Sequence, residues 1–258
     1  MSPLSTTGRP PHVIAHRGAS AYAPENTLTA IRQAVELHAD LVEVDVQRTR
    51  DGALVLLHDA DLGRTTDAAR VLPRRAPWRV ADLIYEEVQR LDAGSWFSPA
   101  YAGERVPTLE EALDLLALTG TGLQLEVKKP GLHPGIAVDI AAVLATRPAN
   151  HVVVQSFDHE VMRQLALLDP GRPIGLLGQP PLRRMPVLAG WAAQVNPRHR
   201  RVTAPYVDAV HAAGMECLVW TVDRPAEIER VLDLGVDGVI TNRPDVLRQL
   251  MADRLVPA

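Results

Sequence analysis

Leu41-Val42-Glu43-Val44-Asp45-Val46 is the stretch that decides the fold of this chain. Side chains alternate along a strand, so Glu43 and Asp45 share one face, and Val42, Val44 and Val46 share the other. The valines can pack outward against a helical layer, which leaves the two carboxylates facing inward or toward an opening. Two carboxylates side by side repel each other and are costly to desolvate. A divalent cation between them resolves both problems; an arginine partner for each is the alternative. The same inversion recurs in Leu123-Gln124-Leu125-Glu126-Val127-Lys128. Here Gln124, Glu126 and Lys128 share a face, and Leu125 and Val127 share the other. The second strand thus adds a third carboxylate and a cation. Oxygen ligands of this kind suit a hard ion such as Mg2+, Ca2+ or Mn2+.

Outward from these strands the chain alternates strand and helix. Strand patterns cover His12–His16, Leu41–Arg48, Ala53–His58, Gly122–Lys128, Val152–Phe157, Pro173–Leu177, Met215–Val222 and Gly238–Thr241, with a weaker one at Gln194–Asn196. Helical patterns cover Thr27–His38, Thr108–Leu118, Gly135–Thr146, His159–Leu168, Ala204–Ala213, Pro225–Leu234 and Pro244–Arg254. Thr108, followed by Glu110 and Glu111, reads as a helix N-cap, and Gly214 and Gly235 read as helix stops. Alternation of this kind implies βαβ units and parallel pairing. About eight such units in one chain favour an α/β fold closed as a (β/α)8 TIM barrel over an open sheet. The 258 residues fit one such domain, although the length also accommodates two small ones. Asp59–Pro107 breaks the alternation with prolines, arginines, a helix pattern at Asp82–Leu91 and the aromatics Trp96, Phe97 and Tyr101. It is too long for an ordinary connection, and reads as an insertion after the second strand region, capping one barrel mouth.

Two histidines close strand patterns: His16, followed by Arg17-Gly18, and His58, followed by Asp59. Barrel enzymes place their catalytic groups at the C-terminal ends of strands. Imidazoles there suit acid–base work near neutral pH. The composition is 47% hydrophobic and 22% charged, which provides a packed core and carries no signature of disorder. A formal net charge of −4 gives no basic footprint for nucleic acid. The one cysteine, Cys217, excludes an intramolecular disulfide and a Cys-rich zinc site, and lies in an apolar run that reads as a buried strand. No apolar stretch approaches the ~20 residues that span a bilayer. The N-terminal MSPLSTTGRPPH lacks the features of a signal peptide. A cytoplasmic location and no stable membrane insertion are the expectation.

The segments His16-Arg17-Gly18, Pro24-Glu25-Asn26-Thr27, Glu43-Val44-Asp45-Val46, Asp51-Gly52, His58-Asp59, Glu126-Val127-Lys128, Ser156-Phe157-Asp158 and Trp220-Thr221-Val222 occur in that order. Gly235-Val236-Asp237-Gly238 and Thr241-Asn242-Arg243-Pro244-Asp245 follow. Any one of these motifs is weak, but the ordered set spans nearly the whole chain and resembles the glycerophosphodiester phosphodiesterase family. The resemblance implies a (β/α)8 barrel with an insertion after the second strand region. It implies one divalent cation, Mg2+ or Ca2+ with Mn2+ as a third choice, ligated by Glu43, Asp45 and Glu126. It implies His16 and His58 as the acid–base pair, Arg17 and Lys128 on phosphate oxygens, and Trp220 as a pocket wall. Asn26, in a segment that shapes the loop before the first helix, is a further residue to test. The implied reaction is metal-dependent hydrolysis of a small-molecule glycerophosphodiester to sn-glycerol 3-phosphate and an alcohol. The attacking group is either water or the substrate's own glycerol hydroxyl, the latter passing through a cyclic phosphate. The chain departs from the family where glycines often follow the Arg64-Thr65-Thr66 match, and where Asp223 replaces a frequent Asn. The first departure bears on substrate choice; the second reads as remote from the chemistry. A lysophospholipase D-like activity, a non-catalytic phosphate-ester binding module and a metal-dependent lyase or isomerase are the competing readings. A monomer and a homodimer are both compatible with the sequence.

Overall fold

The computed structural model describes residues 9–147 and 151–255, so most of the N-terminal stretch read above lies outside the described residues. In chain order the strands are β1 (His12–His16), β2 (Leu41–Arg48), β3 (Leu54–Leu56), β4 (Gly122–Val127), β5 (Val152–Ser156), β6 (Ile174–Leu177), β7 (Gln194–Asn196), β8 (Glu216–Val219) and β9 (Gly238–Thr241). All except β3 run parallel, and β1 pairs with both β9 and β2, which closes the ring as a (β/α)8 barrel. Helices Leu28–Glu36, Leu109–Leu116, Ile136–Thr146, His159–Leu168, Ala204–Ala212, Pro225–Asp233 and Pro244–Asp253 cover the outside. Their ends follow the local chemistry. Thr27 accepts from the Ala30 amide, and Thr108 and Glu111 form a reciprocal capping box. Gly214 and Gly235 end the Ala204–Ala212 and Pro225–Asp233 helices at φ of +79° and +73°, where a side chain would be strained.

The period of two sorts the barrel into layers. Val13, Ala15, Val42, Val44, Val46, Leu125 and Val127 point outward into the core shared with the helices. Ile14, Leu41, Val153, Leu218 and Ile240 point inward and form an apolar plug near the N-terminal end. Above the plug lies a layer of amides. Gln124 Nε2 donates to Gln155 Oε1 at 3.0 Å and to Gln194 Oε1 at 3.2 Å, and Asn196 Nδ2 donates to Gln155 Oε1 at 2.8 Å. The charged residues sit above the amides, toward the C-terminal mouth.

One expectation about the strands changes, and one rests on firmer ground. Ala53–His58 is not a barrel strand: its central residues form β3, which pairs antiparallel with β2 outside the ring, after a turn that includes Gly52 at φ +98°. The weakly patterned Gln194–Asn196 is a barrel strand, β7, between β6 and β8. Its inward residues serve the amide layer, so its polar–apolar order is the reverse of that of a half-exposed strand.

The stretch between β3 and β4 contains short helical turns in place of the single helix expected at Asp82–Leu91: a 3-10 turn at Val80–Asp82 and a helix at Tyr85–Gln89. Val55, Leu57, Leu62, Val80, Leu83, Val88 and Leu91 give this part an apolar cluster of its own. Trp96, Phe97 and Tyr101 stack edge to face, with successive centroids 5.7 Å apart, and Tyr101 Oη donates to the Tyr22 carbonyl at 2.7 Å.

Candidate active site

Strand register brings the carboxylates together. His16 is level with Glu43 across β1 and β2, and Asp45 is level with Glu126 across β2 and β4. Ligand atoms of Glu43, Asp45 and Glu126 all lie within 4.8 Å of one another, and all three residues are buried. Two cations reach them. Lys128 Nζ is 2.7 Å from Glu126 and 3.2 Å from Asp45, and Arg17 Nε is 3.2 Å from Asp45. The Arg17 amide donates to Glu43 Oε2 at 2.8 Å. Asn26 clamps Asp45 from both sides, donating to Oδ2 at 2.8 Å and accepting from the Asp45 amide at 3.0 Å. Among the described residues Glu43 Oε1 has no hydrogen-bond partner, and Asp45 Oδ1 meets Lys128 without hydrogen-bond geometry.

The electrostatics follow from three buried carboxylates against two cations. Burial, and then Asp45 and Glu126, push Glu43 well above the usual carboxylate range. Burial and the Asp45 charge push Glu126 up to about 7. Burial also pushes Asp45 upward, but Lys128, Arg17 and His58 outweigh it and hold Asp45 below its ordinary value. The mutual repulsion that raises Glu43 and Glu126 is what a divalent cation bound among these carboxylates would relieve.

The two histidines have different partners. Burial, and then the Arg17 charge, lower His16 to about 4. Its Nδ1 is 2.7 Å from Asn242 Oδ1. Burial also lowers His58, whose Nδ1 is 2.7 Å from Asp59 Oδ1. His58 reaches the mouth by an unexpected route: it follows β3, and the Leu57 amide, donating to the Asp45 carbonyl at 2.9 Å, lays the hairpin against the top of β2. Trp220, just beyond β8, donates from Nε1 to the Asn196 carbonyl at 2.7 Å and meets Phe157 edge to face at 5.6 Å. Seven of the eight residues singled out in the sequence (His16, Arg17, Glu43, His58, Glu126, Lys128 and Trp220) line one cavity of about 140 Å³. Asp45, fully buried, belongs to the carboxylate cluster behind that lining. A wider cleft of about 930 Å³ opens beside it past His58, Lys128 and Phe157.

Beside Asn242, three further residues enter this site without having been given a role from the sequence. Glu25 holds Arg17 Nη1 at 2.9 Å. Arg64 bridges Glu25, at 2.7 and 3.0 Å, and Asp59, at 2.5 Å. Asp223, read from sequence as remote from the chemistry, lies one side chain from His16: its Oδ2 accepts from Asn242 Nδ2 at 2.7 Å. The motif blocks contained Glu25, but nothing local in the sequence announces a contact between residues 223 and 242.

Acid–base side chains beside a carboxylate cluster at the C-terminal mouth of a parallel barrel mark a barrel enzyme built to hold a divalent cation. Within that class the chain belongs to the glycerophosphoryl diester phosphodiesterase family, whose profile matches residues 16–246. It is 37% identical over 243 residues to a glycerophosphodiester phosphodiesterase of Caldanaerobacter subterraneus subsp. tengcongensis, covering 93% of this chain and 97% of that protein. It is 33% identical over 259 residues to a glycerophosphodiester phosphodiesterase of Bacillus subtilis, covering 92% of this chain and 85% of that one. Among solved structures, an Oleispira antarctica phosphodiesterase in complex with the product sn-glycerol-3-phosphate matches with a TM-score of 0.86 at 29% identity, over 94% of this chain and 97% of that one.

Proposed function

We propose that this chain hydrolyses glycerophosphodiesters to sn-glycerol 3-phosphate and an alcohol. The observation that carries the reading is the convergence of buried carboxylates, Arg17, Lys128, His16 and His58 on one cavity. Glu43, Asp45 and Glu126 would hold one Mg2+ or Ca2+, with Mn2+ as a third candidate. The donors fit a hard cation: all are oxygens, they lie within 4.8 Å of one another, and Glu43 Oε1 lacks a hydrogen-bond partner among the described residues. When bound, such an ion withdraws charge from a phosphate oxygen and orients the ester.

The chain's own groups supply the rest. Arg17, anchored by Glu25 and Asp45, presents a preoriented guanidinium to the phosphate, and Lys128 adds a point charge. One histidine takes the proton of the attacking hydroxyl group, and the other returns a proton to the departing alkoxide, a poor leaving group without it. Trp220 walls the cavity. The 59–107 insertion caps the mouth and is tied to the site through Arg64. Phe97 and Tyr101 pack edge to face and Tyr101 is held on the Tyr22 backbone, so that of the three aromatics Trp96, beneath the Arg64 guanidinium, offers the most exposed apolar surface; one such ring favours a small diester over a lysophospholipid. Among the described residues no helix is long and apolar enough to cross a membrane.

The test is turnover of glycerophosphocholine and glycerophosphoethanolamine by EDTA-treated chain, read as sn-glycerol 3-phosphate, with Mg2+, Ca2+ or Mn2+ then restored. Release that depends on the added ion is the expected result. Folded chain that releases none with any of the three ions would overturn the assignment.

A further inference from the structure

The donors and acceptors behind His16 fix one another in sequence. Asp223 lies just beyond β8 and Asn242 just beyond β9, and the Val222 amide, donating to the Ile240 carbonyl at 3.0 Å, keeps the two turns level. The Asp223 carboxylate receives three donors: Thr241 Oγ1 at 3.1 Å and the Asn242 amide at 2.8 Å on Oδ1, and Asn242 Nδ2 at 2.7 Å on Oδ2. A carboxylate accepts and cannot donate, so the Asn242 group facing it has to be the NH2. That settles the orientation of an amide whose two ends are otherwise nearly alike. The amide oxygen then faces His16 Nδ1 at 2.7 Å, with Ser20 Oγ at 2.8 Å. An amide oxygen only accepts, so Nδ1 has to carry the proton. The other ring nitrogen, Nε2, has no hydrogen-bond partner among the described residues, and His16 lines the reaction cavity.

We infer that Asp223 and Asn242 are positioning residues that hold His16 as a single tautomer, with the proton on Nδ1 and Nε2 left for the reacting group. The inference rests on the reading of His16 as an acid–base residue. It also distinguishes the two histidines: His58 Nδ1 faces a carboxylate directly, whereas His16 faces a neutral amide with the carboxylate one side chain further back. Histidines that act in catalysis or bind metals depend on such partners for ring orientation and for the choice of nitrogen.

The complementarity makes a sharp demand on variants. In Asn242→Asp two carboxylates face each other across the 2.7 Å contact. In Asp223→Asn the acceptor that fixes the amide is no longer acceptor-only, and the amide can turn its NH2 toward His16. Each single change removes the pattern. Making both at once restores it: a carboxylate then accepts from His16 Nδ1, and an amide donates to that carboxylate while its oxygen still accepts from Thr241 Oγ1 and the backbone amide.

The experiment uses the full chain with Mg2+ bound and 15N-labelled histidine, with the His16 signals assigned by their loss in His16→Gln. Long-range 1H–15N spectra read the tautomer, and turnover of glycerophosphocholine reads kcat and KM. In the wild type, His16 should show a protonated Nδ1 and an unprotonated Nε2. Asp223→Asn should mix the tautomers and lower kcat by about ten- to a hundredfold, with KM changed by less than about threefold; Asn242→Asp should keep the proton on Nδ1 but lower kcat by a similar factor, because the two facing carboxylates push the support of the ring apart. The double exchange should return the single tautomer and bring kcat to within about threefold of wild type, an interaction between the two sites that independent structural defects do not produce. An Asp223→Asn variant that keeps the wild-type tautomer and kcat, or a double exchange no better than the worse single, overturns the inference. Turnover that survives His16→Ala overturns the reading of His16 and the inference with it; loss of turnover in His16→Ala with Asp223→Asn unchanged overturns the inference alone.

Discussion

Glu126→Gln should make the ion-free chain more stable while abolishing its activity. Glu126 is buried beside Asp45, and its pKa rises from 4.5 to about 7. A carboxyl raised in the folded state is neutral in both states below its unfolded pKa and contributes nothing there. Between 4.5 and about 7 the unfolded chain ionises first, so the folded state loses ground, and above about 7 the whole penalty remains. A shift of that size corresponds to about 3 kcal/mol at pH 8. Loss of the 2.7 Å Lys128 contact offsets part of the gain, although Lys128 keeps Asp45 at 3.2 Å. The variant should therefore exceed wild type by about 1–3 kcal/mol at pH 8 and by little at pH 5. In a chain of this size that is a rise in Tm of about 2–10 °C. Denaturant unfolding in EDTA at the two pH values measures the gap. Added Mg2+ should narrow it by stabilising wild type more than the variant. A gap equal at pH 5 and pH 8, or a variant less stable than wild type at pH 8, would mean that burial of the Glu126 carboxylate carries no such penalty.

The other predictions concern the residues around the cluster. His16→Ala and His58→Ala should each lower kcat by about a hundred- to ten-thousandfold, while calorimetry shows the ion still bound. Arg64→Ala, by releasing Glu25 from one side and Asp59 from the other, should lower kcat/KM for glycerophosphocholine by about tenfold; Arg64→Lys should not restore it, because an ammonium lacks the fork that spans two carboxylates. His16 has its pKa depressed from 6.5 to about 4, so the unfolded chain takes up a proton that the folded chain refuses. Wild type should therefore lose stability relative to His16→Gln as pH falls from 6.5 toward 4, by up to about 3 kcal/mol, and unfolding curves of the two at pH 7 and pH 4.5 measure it.

The barrel was legible where alternation was strong. Leu41–Arg48 and Gly122–Lys128 expose valines and leucines to the helices and carboxylates to the interior, and the period of two carries that information whichever face is polar. It was less legible at Gln194–Asn196, where three residues give too short a pattern and the inward positions carry amides. Ala53–His58 was misplaced because a local pattern says that a strand forms, not which partner it takes. Its antiparallel pairing follows from the Thr49–Ala53 turn, which folds the chain straight back onto the end of β2. Within the site, every residue chosen for its own chemistry converged on one place. Glu25, Arg64, Asn242 and Asp223 escaped because their importance lies in what they touch, and those contacts join residues far apart in the chain, as between 25 and 64 or 16 and 242.

On the function proposed above, Glu43, Asp45 and Glu126 together hold one divalent cation on which hydrolysis depends. Isothermal titration of the EDTA-treated chain with Mn2+, on wild type and on the isosteric Glu43→Gln, tests it most directly. One ion per chain in wild type, and binding weakened by at least about tenfold in the folded variant, is the predicted result. Equal affinity and stoichiometry in the two proteins would mean that Glu43 takes no part in holding the ion.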